Sequence, residues 1–384
     1  MRIVLTGGKT GGHIFPLVAT KREMEEILKI LSQKYERERK LLEPKFYFVG
    51  AKLKDREKKI LEEEKIEVKK IISFKWRTYF SFKNFVDIFK FPISLFQSLF
   101  HLWKIMPDVI LSKGGPGSFA IVLAGWIYRV PIIIHESDIV PGLTNKLSSI
   151  FCQKIAISFD KTKEFFKRKK KKIVLTGHPI RQELLSLSKE KAKKLFKITG
   201  ERKVILIMGG SQGAQQINEL IIDAIFKYIE KYEIIHICGP KNFPQLRLTI
   251  RGILREDQQK FYHLFPFLDE KKLALAYSIA DIIVARGGAG TLFEIAAVQK
   301  PAIIIPLSIA RKKHQSQNAD YFFEKGAVVV IEGDNVTPNF LFAKIDQILE
   351  DEKKMEEMKE ACKKLAKKTA AFDLAKEVLY TAFK

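Results

Sequence analysis

The chain has 384 residues, 46% of them hydrophobic, and sets 68 Lys and Arg against 44 Asp and Glu, a formal charge of +24. A chain of this length makes two or three domains, and its apolar fraction is that of a globular protein, which excludes disorder over most of its length. Cys152, Cys238 and Cys362 lie far apart, which excludes a C-x-x-C metal or redox pair and a disulfide framework and points to a reducing setting.

From the amino terminus, Met1-Arg2-Ile3-Val4-Leu5 runs at once into glycine, so no signal-peptide apolar region is expected. Short β-rich runs at residues 2–5, 46–49, 108–111, 132–134 and 154–157 read as buried parallel strands separated by helices. Residues 52–70 mix Lys and Glu as solvated helix faces do. Farther on, Phe89, Phe96, Phe100 and Trp103 recur at spacings of three, four or seven, which predicts a stripe that packs one helix onto the sheet. Lys90, Pro92, Gln97, His101 and Lys104 interrupt that stretch, so it is not expected to cross a membrane. His101 and His263 have apolar neighbours in sequence and read as packing residues.

The basic run at residues 167–172 precedes a strand-like Ile173-Val174-Leu175 and is either a solubilising loop or a contact for an anionic partner. The strand pattern then restarts at 204–208 and continues at 234–238, 282–284, 302–305 and 328–331. Two Rossmann-like α/β domains follow, residues 1–176 and 177–364, with parallel sheets facing an interdomain cleft. The helical segment at about 365–384 either caps the second domain or crosses back to brace the first.

Four strand ends run into glycine: Gly7-Gly8-Lys9-Thr10-Gly11-Gly12, Gly114-Gly115-Pro116-Gly117, Gly209-Gly210-Ser211-Gln212-Gly213 and Gly287-Gly288-Ala289-Gly290. Glycine there allows tight turns and close ligand approach, and the next helix offers N–H groups and its positive dipole end to phosphate. A nucleotide site is therefore expected. It is not that of a phosphate-loop NTPase, because the first glycine of G-x-x-x-x-G-K-[ST] falls on Ile3, and the first loop lacks G-x-G-x-x-G. No metal-binding motif appears, so no tightly bound catalytic metal or other cofactor is expected. The charge is unaccompanied by a zinc-finger or RNA-binding signature, so nucleic acid is not expected as a partner.

Thr6-Gly7-Gly8-Lys9-Thr10-Gly11-Gly12-His13, His135-Glu136, Gly142-Leu143-Thr144-Asn145-Lys146, Gly209-Gly210-Ser211-Gln212-Gly213-Ala214 and Arg286-Gly287-Gly288-Ala289-Gly290-Thr291-Leu292-Phe293-Glu294 resemble, in order, the motifs of the MurG family. The resemblance implies the two-domain GT-B glycosyltransferase fold. It implies inverting transfer of N-acetylglucosamine from UDP-N-acetylglucosamine to the 4-hydroxyl of undecaprenyl-diphosphate-linked muramoyl-pentapeptide. It also implies catalytic roles for His13 as general base and Glu136 as rival base or orienting partner. Thr10, Gly11, Gly12, Asp138, Arg181, Ser211, Leu268 and Gln315 match donor-side positions, and Ala289, Gly290, Thr291, Leu292, Phe293 and Glu294 match the segment that holds UDP, with Glu294 on the ribose hydroxyls. Asn145 falls on the acceptor side. Lys9, Asp138 and Pro116 depart from the family pattern, so the φ angle at Lys9 and individual donor contacts are expected to differ.

Because that family's acceptor is lipid-anchored, the basic and aromatic residues Lys75, Trp76, Arg77, Tyr79, Phe80 and Phe82, within 75–90, are expected to dock on anionic lipids of the inner leaflet. That would place the chain on the cytoplasmic side of the bacterial cell membrane as a peripheral protein. Another GT-B enzyme, such as a lipid glycosyltransferase or a UDP-sugar epimerase, is the nearest alternative; a basic nucleic-acid-binding protein is the alternative from a different class.

Overall fold

The computed structural model describes residues 1–35, 39–74, 82–186, 188–209, 215–306 and 313–383, with the backbone alone for 39, 41, 82–88, 168, 313 and 334. The chain divides into two compact units, Met1–Ile180 with Thr369–Lys384, and Arg181–Lys368.

In the first unit β1 (Arg2–Thr6), β2 (Lys45–Ala51), β3 (Glu67–Ile71), β4 (Val109–Ser112), β5 (Ile132–Glu136), β6 (Lys154–Ile157) and β7 (Ile173–Leu175) form one sheet in the order β3-β2-β1-β4-β5-β6-β7. Neighbouring strands pair in parallel; Ile3 of β1 lies opposite Phe46 of β2 and Val109 of β4. Ile3, Val4, Leu5, Ile132, Ile133 and Ile134 are wholly buried, because helices cover both faces. On one face the helices Gly11–Lys34, Asp55–Glu63 and Ala370–Ala382 bring Leu17, Leu61, Leu374 and Val378 against Ile3 and Leu5. On the other, Phe82–Ile105 and Ser118–Ile127 bring Leu102, Ile105, Ile121 and Val122 against Val4 and Ile110. The carboxy-terminal helix thus packs in the first unit, where Lys154 on β6 also pairs with Glu377.

The second unit has one parallel sheet of β8 (Val204–Met208), β9 (Glu233–Ile237), β10 (Tyr262–Phe265), β11 (Ile282–Ala285), β12 (Ala302–Ile304) and β13 (Val329–Val330), ordered β10-β9-β8-β11-β12-β13. Ile205, Ile207, Ile282, Val284 and Ile303 cluster there with Ile217, Ile221, Ile345 and Ile348 of the covering helices.

Several expectations change. Residues 67–70, assigned to a helical stretch, belong to the edge strand β3, where Glu67, Lys69 and Lys70 are accommodated because an edge keeps charged side chains hydrated. The stripe Phe89, Phe96, Phe100 and Trp103 does not face the sheet; Phe96 is 73% exposed and Trp103 62%. The inward face of the helix Phe82–Ile105 is instead Leu95, Leu99, Leu102 and Ile105, with Ser94 and Ser98 buried. Two stripes at helical spacing compete on this helix, and the one carrying small serines permits the closer approach to its neighbours. His263 meets the Glu233 carboxylate at 2.8 Å, and His101 lies by the Lys70 backbone with Lys69 and Lys104 nearby, so neither sits in purely apolar surroundings. Among the described residues no helix is long and apolar enough to cross a membrane.

Candidate active site

In the first unit the carboxyl ends of β1, β4 and β5 each release a loop at the same edge. His13 stands in the first turn of the helix Gly11–Lys34, its ring pressed onto Gly8: a Cβ on Gly8 would come 2.8 Å from the ring. A Cβ on Gly115, whose φ is +99°, would come 2.8 Å from the Gly8 nitrogen and 3.3 Å from His13 Cε1. Only glycine lets the two loops and the ring meet so closely. Lys9 does not take a positive φ and is exposed, so the side chain that stands in place of glycine is carried without left-handed strain. Thr10 is the extended N-cap residue, its carbonyl accepting from the His13 N–H at 2.9 Å; Gly11 lies under Phe15, and Gly12 faces open space.

Burial, reinforced by the charge of Lys113, pulls the His13 imidazole down to about 4, so the ring is neutral at neutral pH. Lys113, itself buried just past β4, donates to His135 Nδ1 at 2.7 Å and to the Ser137 hydroxyl. His135 Nε2 lies 3.0 Å from the Gly177 carbonyl, so Nε2 carries the proton and Nδ1 accepts. Burial lowers the Lys113 ammonium from its usual range, opposed by the charges of Glu136 and Asp138. Glu136 is buried with both oxygens engaged: Oε1 accepts from the Asp138 N–H at 3.0 Å, and Oε2 from the Gly142 N–H at 3.1 Å and Asn145 Nδ2 at 2.9 Å. Its carboxyl is pushed up chiefly by burial. Asn145 also donates to the His135 carbonyl at 3.3 Å, so Glu136 and Asn145 together tie the 136–145 loop to the end of β5.

In the second unit, the helix Ala289–Val298 follows β11 with Gly288 as its extended N-cap. Gly290 and Thr291 are half-buried at its amino end, whereas Leu292 and Phe293 are core residues, Phe293 packing edge-on against Phe322. Leu268 is likewise buried. Glu294 is buried, and Arg181 Nη1 donates to its Oε1 while the Tyr277 hydroxyl donates to Oε2 at 3.2 Å. Burial raises the Glu294 carboxyl; Arg181 and Tyr277 oppose that rise. Gln315 is half-buried, and its backbone carbonyl lies where a Cβ on Gly287 would stand, 2.5 Å away. Ser211, Lys75, Trp76, Arg77, Tyr79 and Phe80 lie outside the described residues, and Phe82 is described by backbone alone. Among the described residues no three His, Cys, Asp or Glu gather into a metal-binding group.

Sequence reasoning passed over Lys113 and Tyr277. A cation at the end of the apolar run Val109-Ile110-Leu111-Ser112, directly before two glycines, was a usable signal; a tyrosine in a helix carries none by itself.

Two parallel-sheet units with glycine loops and helix amino ends at their strand edges have the architecture of the GT-B fold, which is built to hold a nucleotide sugar. Residues 3–157 match the glycosyltransferase family 28 N-terminal domain and residues 204–377 its C-terminal domain. A UDP-N-acetylglucosamine–N-acetylmuramyl-(pentapeptide) pyrophosphoryl-undecaprenol N-acetylglucosamine transferase of Clostridium novyi (strain NT) is 35% identical over 92% of this chain and 92% of its own. Among solved structures, MurG of Acinetobacter baumannii superposes with a TM-score of 0.69 at 22% identity, covering 99% of each chain. A UDP-GlcNAc 2-epimerase from Neisseria meningitidis bound to UDP-GlcNAc shares the fold at a TM-score of 0.66 and 15% identity, covering 100% of each chain. The chain belongs to glycosyltransferase family 28 and, within it, to the MurG family.

The packing at Gly287 makes a stability prediction. Gly287→Ala forces the Gln315 backbone to move and costs about 1–3 kcal/mol. At Gly288 nothing lies within 4 Å of an added Cβ, and Gly288→Ser supplies a better N-cap, so it is neutral or mildly stabilising. Thermal unfolding of the two variants checks this; equal loss in both would contradict it.

Proposed function

We propose that this chain transfers N-acetylglucosamine from UDP-N-acetylglucosamine to the 4-hydroxyl of undecaprenyl-diphosphate-linked N-acetylmuramoyl-pentapeptide, with inversion at the anomeric carbon. The observation that carries this reading is the near full-length likeness to a curated relative bearing that name. The site supplies a matching chemistry.

His13 is the general base in this reading. A base must be unprotonated to accept the proton of the acceptor hydroxyl, and burial together with Lys113 keeps the imidazole neutral. As O4 bonds to the anomeric carbon, the bond from that carbon to the diphosphate oxygen breaks, UDP departs, and the O4 proton passes to His13. The charge that develops on the diphosphate meets the N–H groups and dipole at the start of the helix Ala289–Val298, so the reading calls on no tightly bound metal. Glu294 accepts the ribose hydroxyls. Glu136, with three N–H donors already on its oxygens, holds the loop in this scheme rather than taking the proton.

Peripheral docking on anionic lipid of the inner leaflet completes the proposal, since the acceptor is membrane-bound. Its support begins at the end of the 75–90 segment and runs beyond it. Phe89, Ile93, Phe96, Phe100 and Trp103 form an exposed stripe on the helix Phe82–Ile105, and Lys104 lies 4.6 Å from the Phe100 ring centroid. Trp126, Ile127 and Tyr128, at the end of the helix packed beside it, are exposed as well. Apolar rings with flanking cations suit a lipid interface, each cation adding about 1 kcal/mol near an anionic surface. Part of the 167–172 run acts within the protein instead. Lys169 donates to Ser149 Oγ at 2.6 Å and Lys172 to the Cys152 carbonyl at 2.8 Å, so these two fasten their own unit.

His13→Ala lowers kcat about 10²–10⁴-fold. Removing the buried charge with Lys113→Met lets the imidazole rise toward 6.5; as protonated base is inactive base, the acid limb of kcat/KM moves to higher pH. Near-normal turnover in His13→Ala, or an unmoved acid limb in an active Lys113→Met, would sink the base assignment. Docking is tested separately with vesicles. Wild type co-sediments with phosphatidylglycerol vesicles at low salt and is released by high salt, whereas Phe96→Ser with Trp103→Ser does not sediment; retention of the double variant would remove the stripe from docking.

A further inference from the structure

Two residues from separate segments converge on one buried acid in the second unit, which itself comes from a third. Glu294 comes from the helix Ala289–Val298, Tyr277 from the helix Glu270–Ile279, and Arg181 from the segment that opens the unit. An ionised carboxylate has about four acceptor positions, two on each oxygen. Arg181 fills one on Oε1 and Tyr277 one on Oε2. One position therefore remains on each oxygen, side by side, which is the complement of two adjacent hydroxyl groups. We propose that Tyr277 and Arg181 are positioning residues that lock the Glu294 carboxylate so that its two oxygens each receive one hydroxyl of a vicinal diol, the 2′- and 3′-hydroxyls of the donor's ribose.

This rests on the reading of Glu294 as the ribose acceptor and deepens it. Alone, a buried carboxylate would be expensive and tend to take up a proton, and a protonated acid turns one of its oxygens into a donor and accepts less strongly from a pair of hydroxyls. Arg181 supplies the compensating charge and Tyr277 a neutral donor, so the acid stays an acceptor although it is buried. A free carboxylate would also turn about its last side-chain bond; donors on both oxygens fix its plane before the nucleotide arrives, which removes an ordering cost from binding. The family resemblance puts Arg181 at a donor-side position, where a guanidinium could instead hold donor phosphate, and the two roles make different predictions.

The test compares UDP with 2′,3′-dideoxy-UDP, titrated calorimetrically into the full-length protein. Wild type prefers UDP, and Glu294→Gln abolishes the preference. Tyr277→Phe weakens UDP about three- to tenfold, the range of a lost hydrogen bond to a charged group reduced by its indirect action, while the dideoxy compound binds as it does to wild type. In turnover the same variant raises KM for UDP-N-acetylglucosamine with kcat near wild type. Arg181→Gln gives the same selective loss and decides the matter if Tyr277→Phe does not fold. If both variants keep the wild-type preference, or weaken both ligands equally, the clamp is wrong; equal weakening by Arg181→Gln alone assigns that residue to phosphate. If Glu294→Gln keeps the preference, the ribose reading itself fails, and the clamp with it.

Discussion

Parallel pairing is the constraint from which the rest follows. Among the described residues the strands of each unit all run parallel, so they end at one edge, and the loops that carry chemistry leave from that edge. The interior strands are buried on both faces and must be mostly apolar, as Ile132-Ile133-Ile134 and Ile282-Ile283-Val284 are, so polar residues of these strands gather toward their ends. His135 and Glu136 close β5, Lys113 follows β4, and Arg286 follows β11. The glycines beside them are what allows the loops to fold back onto one another rather than merely to turn.

The polar groups so placed are dry, and each is kept by a partner. Lys113, His135, Ser137 and Glu136 form one such cluster, Arg181, Glu294 and Tyr277 the other. Buried ionisable groups are weak contributors to stability, since desolvation offsets most of the attraction, yet removing one partner leaves the other exposed to the full cost. Their arrangement is better understood through what it does to protonation. In the first unit burial and a neighbouring cation keep an imidazole neutral; in the second an arginine and a tyrosine oppose the rise that burial imposes on a carboxyl. The proposed transfer needs both states, a base that is free and an acceptor that is charged.

How much of this could be read from the sequence differs by feature. The interior strands were legible, because an apolar β-branched run between helical patterns has few other readings. The edge strand β3 was not: its Glu-Val-Lys-Lys-Ile composition is that of a solvated helix, and only pairing with β2 decides. Spacing located the stripe Phe89, Phe96, Phe100 and Trp103 on one helix face, but a helix with two apolar stripes does not say which one faces inward; Ser94 and Ser98 settle that only once the neighbouring helix is in place. The motif around Glu294 was visible as a linear string, and the neighbours that orient its carboxylate, 17 and 113 positions away, were not. Glu136 was recognised as a member of the site, while its three N–H donors, which turn it into a loop anchor, emerge only from the fold of residues 136–145.

The most direct measurement is the fate of the sugar. The full-length protein is incubated with UDP-N-acetylglucosamine and a lipid-linked muramoyl-pentapeptide acceptor, and the lipid product is analysed by mass spectrometry and by the proton coupling at the new anomeric centre. The expected result is one N-acetylglucosamine added per acceptor in β linkage, with one UDP released for each. UDP release without a gain in acceptor mass, epimerisation of the donor sugar, or an α linkage would contradict the proposed transfer.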